Sequence, residues 1–181
     1  MGIIYVGIDN GASGAIAYYY NDKMYVVEIP VKNVQSYTKK VQFINKIDFV
    51  GLKNIFKEIM MYDDAIKVLW ERPFCNPMMF NTSVLSMLSY QTTLNVFEEL
   101  QIPYDMIDSK VWQKAMLPQG IYKTVQDKNG RNRIKADSKT LKKASIDTAN
   151  RLYPYLEIKK DGQADAVMIC EYLRRKELGI K

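Results

Sequence analysis

Histidine is absent from the 181 residues. With it go the commonest general base, the serine and cysteine protease triads and most transition-metal sites. Any catalysis must therefore run on carboxylates, lysines or hydroxyls. Cysteine is scarce: Cys75 and Cys170 stand in unrelated contexts with no CxxC spacing, which indicates neither a zinc knuckle nor a disulfide framework. Both are expected as buried thiols. No apolar run approaches the roughly 20 residues that cross a bilayer, and no basic segment leads into a signal-type stretch at the N-terminus. The expectation is a cytoplasmic protein with no membrane partner. Internal repeats and low-complexity tracts are missing as well.

What is present reads as a globular chain. Apolar residues make up 48% and charged residues 25% of the sequence, a balance that supports a core and excludes a disordered or fibrous class. The length suits one domain spanning residues 1–181 and is short for two. Basic residues number 26 against 20 acidic ones, an excess that favours a polyanionic partner.

Short β-rich runs open the chain at Ile3 to Ile8, Ala15 to Tyr20 and Met24 to Ile29, joined through Asp9-Asn10-Gly11 and Asn21-Asp22, which predicts an antiparallel meander. A polar stretch around Val34 to Lys46 follows. Leu52, Ile55, Phe56 and Ile59 have helical spacing, and Ile66 to Trp70 is a compact apolar strand. Thr82 is placed to cap a helix running to about Leu100, Tyr104 to Ile107 reads as a strand, and helices are expected from about Ser138 to Leu152 and after Lys160. Strands first, then alternating helices and strands, imply an α/β domain in which helices cover a mixed five-stranded sheet.

Acids stand at the ends of these elements. Asp9 closes the first strand, Glu71 closes the fourth, and Asp161 and Asp165 lie four apart at the start of the last helix, where an i, i+4 pair shares one face. The spacing permits a single cluster. Carboxylates brought together repel and raise one another's pKa unless a cation neutralises them. A site of oxygens alone suits magnesium or manganese, and two such ions about 3.5–4 Å apart would activate a water and stabilise the leaving oxygen of a phosphodiester. Each acid also has a plainer reading: Asp9-Asn10-Gly11 as a turn, Glu71 beside Arg72 as a solvated pair, Asp161 as a helix cap. Asp165 resists one, because Ala164, Ala166, Val167 and Ile169 surround it with an apolar helix, in which an acid needs a partner.

These residues carry a family resemblance. Gly7 to Gly14, GIDNGASG, resembles the first-strand motif of the RuvC-like Holliday junction resolvases found in phages. Leu69-Trp70-Glu71 resembles their second acidic motif, and Lys159 to Ala166, KKDGQADA, their C-terminal one. Between them Ser109-Lys110-Val111-Trp112-Gln113-Lys114 is similar to a segment that recurs before the basic region of phage and bacterial members. The order and rough spacing agree over nearly the whole chain. The resemblance implies a ribonuclease H-like fold, Asp9, Glu71, Asp161 and Asp165 as catalytic metal ligands for two Mg2+ or Mn2+ ions, and cleavage of four-way junctions or other branched DNA by paired nicks. One departure bears on Asp161: relatives often carry two adjacent aspartates where this chain has Asp161-Gly162.

Two surfaces are candidates for contact with DNA. From Lys110 to Lys143 ten basic residues face two acidic ones, a net of plus eight against plus six for the whole chain, so the positive field is concentrated there. Lys110, Lys114, Lys123, Lys128, Arg131, Arg133, Lys135 and Lys139 are the expected phosphate contacts, on an excursion around Asn129-Gly130 that orders on DNA. The second surface is the proline-punctuated loop from Arg72 to Phe80, whose phenylalanines could stack on unpaired bases. Some RuvC-like enzymes are similar in placing a phenylalanine three residues after the glutamate, here Phe74. For Phe80, entry into the core is an equal expectation.

Two other functions fit parts of the pattern. Asp9 to Gly14 also resembles the phosphate-cradling turn of actin-like phosphotransferases, but a second domain and a second glycine-rich motif are lacking. A catalytically silent nucleic-acid-binding module is the other reading, disfavoured by three acidic motifs. The resolvase reading implies a homodimer, because symmetric nicks on a two-fold junction call for two sites. Met87, Tyr90, Leu94 and Phe97, widened by Val84, Leu85 and Leu88, give the 82–100 helix an apolar face suited to that contact.

Overall fold

The computed structural model describes residues 2–36, 42–62, 64–126 and 132–180. Its central sheet has five strands in the order β3 (Lys23–Glu28), β2 (Ala15–Tyr20), β1 (Ile3–Asp9), β6 (Ala65–Glu71) and β7 (Tyr104–Ile107). Strands β1, β2 and β3 form the expected antiparallel meander. Strands β6 and β7 extend it in parallel with β1. The mixed five-stranded sheet inferred from the sequence is the one observed.

Alternation along the strands assigns every side chain to a face. Ile4, Val6 and Ile8 of β1 and Val68 and Trp70 of β6 belong to one core, completed by α1 (Phe49–Met60) and α2 (Phe80–Leu100). Tyr5 and Leu69 belong to the opposite core, under α3 (Ser109–Met116), α4 (Ser138–Leu152) and α5 (Asp161–Leu178). Burying each of Val167, Ile169 and Leu173 of α5 is worth about 1.5–3 kcal/mol. Gly7 lets this helix lie directly on β1: a Cβ there would stand 2.2 Å from the Cys170 nitrogen and 2.5 Å from the Ala166 oxygen.

Several expectations need correction. The 34–46 region contains strands, β4 (Val31–Gln35) and β5 (Phe43–Ile47), paired as a separate antiparallel ribbon; residues facing both solvent and the α2 side give it no clean apolar alternation to read. Thr82 caps nothing, since α2 begins at Phe80 behind a one-turn helix that Asn76 caps by accepting from the Met78 amide at 3.0 Å. Asp161 is the first residue of α5 rather than its cap, which is Lys160. Cys75 is exposed while Cys170 is buried, because Cys75 rides on the loop that projects beyond Glu71. Part of the basic excursion is a second ribbon, β8 (Lys123–Gln126) with β9 (Asn132–Lys135). Lys128, Arg131 and the Asn129-Gly130 turn lie outside the described residues. Among the described residues no helix is long and apolar enough to cross a membrane.

Candidate functional site

Strand register brings the first two acids together. Ile8 of β1 is paired with Trp70 of β6, so Asp9 and Glu71 are the next residues at the same end of two adjacent parallel strands. By alternation Asp9 follows Tyr5 and Gly7, and Glu71 follows Leu69, onto the face that α5 covers. The first turn of α5 carries Asp161 and Asp165 four residues apart, on one side of that helix. Gly162 makes the approach possible: a Cβ there would sit 2.4 Å from the Ser13 carbonyl oxygen and 3.0 Å from Asp9 Oδ2. Beside Asp161, this chain therefore has no room for a side chain at position 162.

The four acids lie within one another's fields. Burial holds the Asp9 carboxyl well above the usual carboxylate range, and the charges of Asp165, Glu71 and Asp161 raise it further, against Lys142. Burial likewise pushes Glu71 up to about 7, opposed by a hydrogen bond from Trp112 and reinforced by the charges of Asp165 and Asp108. Asp165 is raised to about 6, again by burial first, with a Ser145 hydrogen bond opposing and Asp161 adding. Asp161 alone is lowered, because the Lys142 ammonium stands 2.5 Å from its Oδ2. Three of the acids thus resist ionisation, while Asp161 is ion-paired with Lys142.

Side chains from α3 and α4 orient three of these acids. The Trp112 indole donates to Glu71 Oε2 at 2.6 Å, and the Ser145 hydroxyl donates to Asp165 Oδ1 at 2.5 Å. Lys142 and Ser145 are three residues apart on α4, so one face of that helix serves both Asp161 and Asp165. On the other side of the sheet the Thr93 hydroxyl of α2 donates to Asn10 Oδ1 at 3.0 Å, tying the residue after Asp9 to that helix. Sequence reasoning missed Lys142, Ser145, Trp112 and Thr93 as site residues. Ser145 and Thr93 lay open to detection as polar residues on the buried stripes of their helices.

A hard divalent cation is the partner this donor set fits. The candidate ligands are carboxylate oxygens, they are partly desolvated, and they raise one another's pKa, which is the state a cation relieves. Among the described residues no three acidic side chains are already gathered as a finished set of ligands.

The candidate DNA contacts surround this edge of the sheet. Because Glu71 is registered with Ile107, the loop after β6 and helix α3 both start at the acidic end. Phe74 and Phe80 are 79% and 72% exposed, so the expectation of core entry for Phe80 is not met: the one-turn helix carries the loop away from the sheet. Lys110, Lys114, Lys123 and Lys139 are exposed, and Arg133 and Lys135 belong to β9. Asp137, one of the two acids in this segment, caps α4 by accepting from the Thr140 amide at 2.9 Å.

The chain shares its fold with RuvC. It aligns with Thermus thermophilus RuvC in complex with a Holliday junction substrate at a TM-score of 0.58 and 10% identity, covering 99% of this chain and 98% of that one. A second structure of Thermus thermophilus RuvC aligns at 0.49 and 12% identity, covering 98% and 97%. No protein-family model and no curated protein matches the sequence. The RuvC-like, ribonuclease H-like fold expected from the sequence is thus the fold observed.

Proposed function

We propose that this protein is a divalent-metal-dependent endonuclease that resolves four-way junctions or other branched DNA by paired nicks. The observation that carries the reading is the convergence of Asp9 and Glu71, at adjacent parallel strand ends, on the Asp161 and Asp165 face of α5. The RuvC-like fold supports it, and the choice of branched DNA follows the junction substrate bound by Thermus thermophilus RuvC. Asp9, Glu71 and Asp165 would hold the metal, with Asp161 as a fourth ligand once freed from Lys142. Magnesium or manganese bound there supplies Lewis acidity to a scissile phosphodiester and promotes ionisation of the attacking water.

The chain's own side chains have separate duties. Ser145 and Trp112 fix one oxygen each of Asp165 and Glu71. Lys142 offsets negative charge at Asp161 and, more weakly, at Asp9 and Asp165. The exposed lysines of α3, β8 and α4 bind phosphates by releasing counterions, and exposed Phe74 stacks on bases unpaired at the branch point. Paired nicks require two such sites related by a two-fold axis, so the active species is a homodimer.

Asp165→Asn tests the reading. It should lower cleavage of a synthetic four-way junction in magnesium by about a thousand-fold or more, the cost of several kcal/mol of charge stabilisation, while junction affinity measured in calcium stays near wild type. Substantial turnover by this variant would remove the metal site from the mechanism.

A further inference from the structure

Glu71 has the longest side chain of the four acids and loses the most rotamer freedom when fixed. Its donor is the stiffest available. The indole N–H of Trp112 points in a direction set by the ring and has no rotor, unlike the hydroxyl on Asp165 or the ammonium on Asp161. The ring is wholly buried, packed in the core that holds Leu69, Ile107, Met116 and Val167. Helix α3 in turn follows β7 directly, and the Arg72 amide donates to the Ile107 carbonyl at 2.8 Å just past Glu71. Strand end, helix start and indole are thus locked as one body.

Burial of an indole does not by itself demand this bond. Trp70 is as fully buried as Trp112, and its Nε1 has no hydrogen-bond partner among the described residues. Of the two fully buried indoles, Trp112 is the one whose N–H is aimed at a site acid.

We propose that Trp112 is a positioning residue that pins Glu71 Oε2 and leaves Oε1 as the oxygen presented to a divalent cation. The inference rests on the metal-site reading above. Partners that orient a ligand in this way are commonly worth 10–100-fold in metal affinity.

Mn2+ titrated into the DNA-free protein, followed by calorimetry and by the rise in melting temperature, tests it. Wild type should bind, and Trp112→Phe should bind about 10–100-fold more weakly. Adding Glu71→Gln to Trp112→Phe should weaken binding no further than Glu71→Gln alone, the non-additivity expected of one coupled pair. Should Trp112→Phe fold poorly, 3-benzothienylalanine at this position keeps the ring shape and removes only the donor. A purely structural tryptophan predicts a lower melting temperature in EDTA with Mn2+ affinity at the wild-type level, and that result with the isostere overturns the proposal. Absence of Mn2+ binding by the wild type is a different outcome, which overturns the metal site itself and the inference with it.

Discussion

At the scale of single residues the acidic cluster has a consequence for stability that needs no DNA to observe. Asp9, Glu71 and Asp165 have folded-state pKa values above their ordinary ones, the last two at about 7 and about 6. Acids of this kind bind protons more tightly in the folded chain than in the unfolded one. Their contribution to stability is complete below the unfolded values near about 4 and is lost as pH rises through about 6 to 7. In EDTA the melting temperature should therefore fall between pH 5 and pH 8. Asp165→Asn should flatten that fall and raise the melting temperature at pH 8, and Mg2+ should stabilise wild type more than the variant. A metal-free protein whose stability is flat across this range, or an Asn variant that is less stable at pH 8, would show that the acids do not oppose folding.

Helices, strands and ribbons differ in how far the sequence announces them. The meander, β6 and β7 were legible because each is an apolar run bounded by turn residues, and α5 because its apolar positions surround Asp165. The β4 and β5 ribbon was not, since it pairs Lys32 with Lys46 and Asn33 with Asn45 across the strands, residues that read as loop. The start of α2 was missed because Asn76 caps a preceding turn and the main helix has no side-chain cap of its own. The four acids stand out in the sequence because they lie at element ends in a recognisable order. Their hydrogen-bond and ion-pair partners do not, because which acid Trp112, Lys142 and Ser145 each meet is set by tertiary packing. For the basic elements the test is salt. Replacing Lys110, Lys123 and Lys139 by Ala should weaken binding to all DNA forms and lower the slope of log affinity against log salt by about one per lysine that contacts phosphate. An unaltered slope would make these lysines bystanders.

For the whole molecule the decisive question is association. Helix α2 is divided: Val96 and Phe97 are buried in its C-terminal half, whereas Val84, Met87 and Leu88 of its N-terminal half are 40%, 43% and 43% exposed. With Met78, Met79 and Phe80 also exposed, this end of the helix presents an apolar surface that a partner subunit would cover. Leu88→Glu should give a folded monomer by sedimentation that binds junctions but nicks one strand per encounter, while wild type sediments at twice the chain mass. A wild-type monomer that cuts both strands in a single binding event would rule out the symmetric arrangement.

The seating of α5 on β1 through Gly7 also bears on when the acidic site is complete during synthesis. The first strand and the helix that completes the acidic site are separated by some 150 residues of chain, so the site joins residues made early and late in synthesis. A ribosome adding about 5–20 residues per second exposes Asp9 and Glu71 seconds before Asp165 exists. During that interval a nascent chain carries the basic segment and two acids without the residues that complete them. On the proposed function, the ability to cut DNA is withheld until synthesis has passed the last helix, and a chain stalled before it lacks both Asp161 and Asp165.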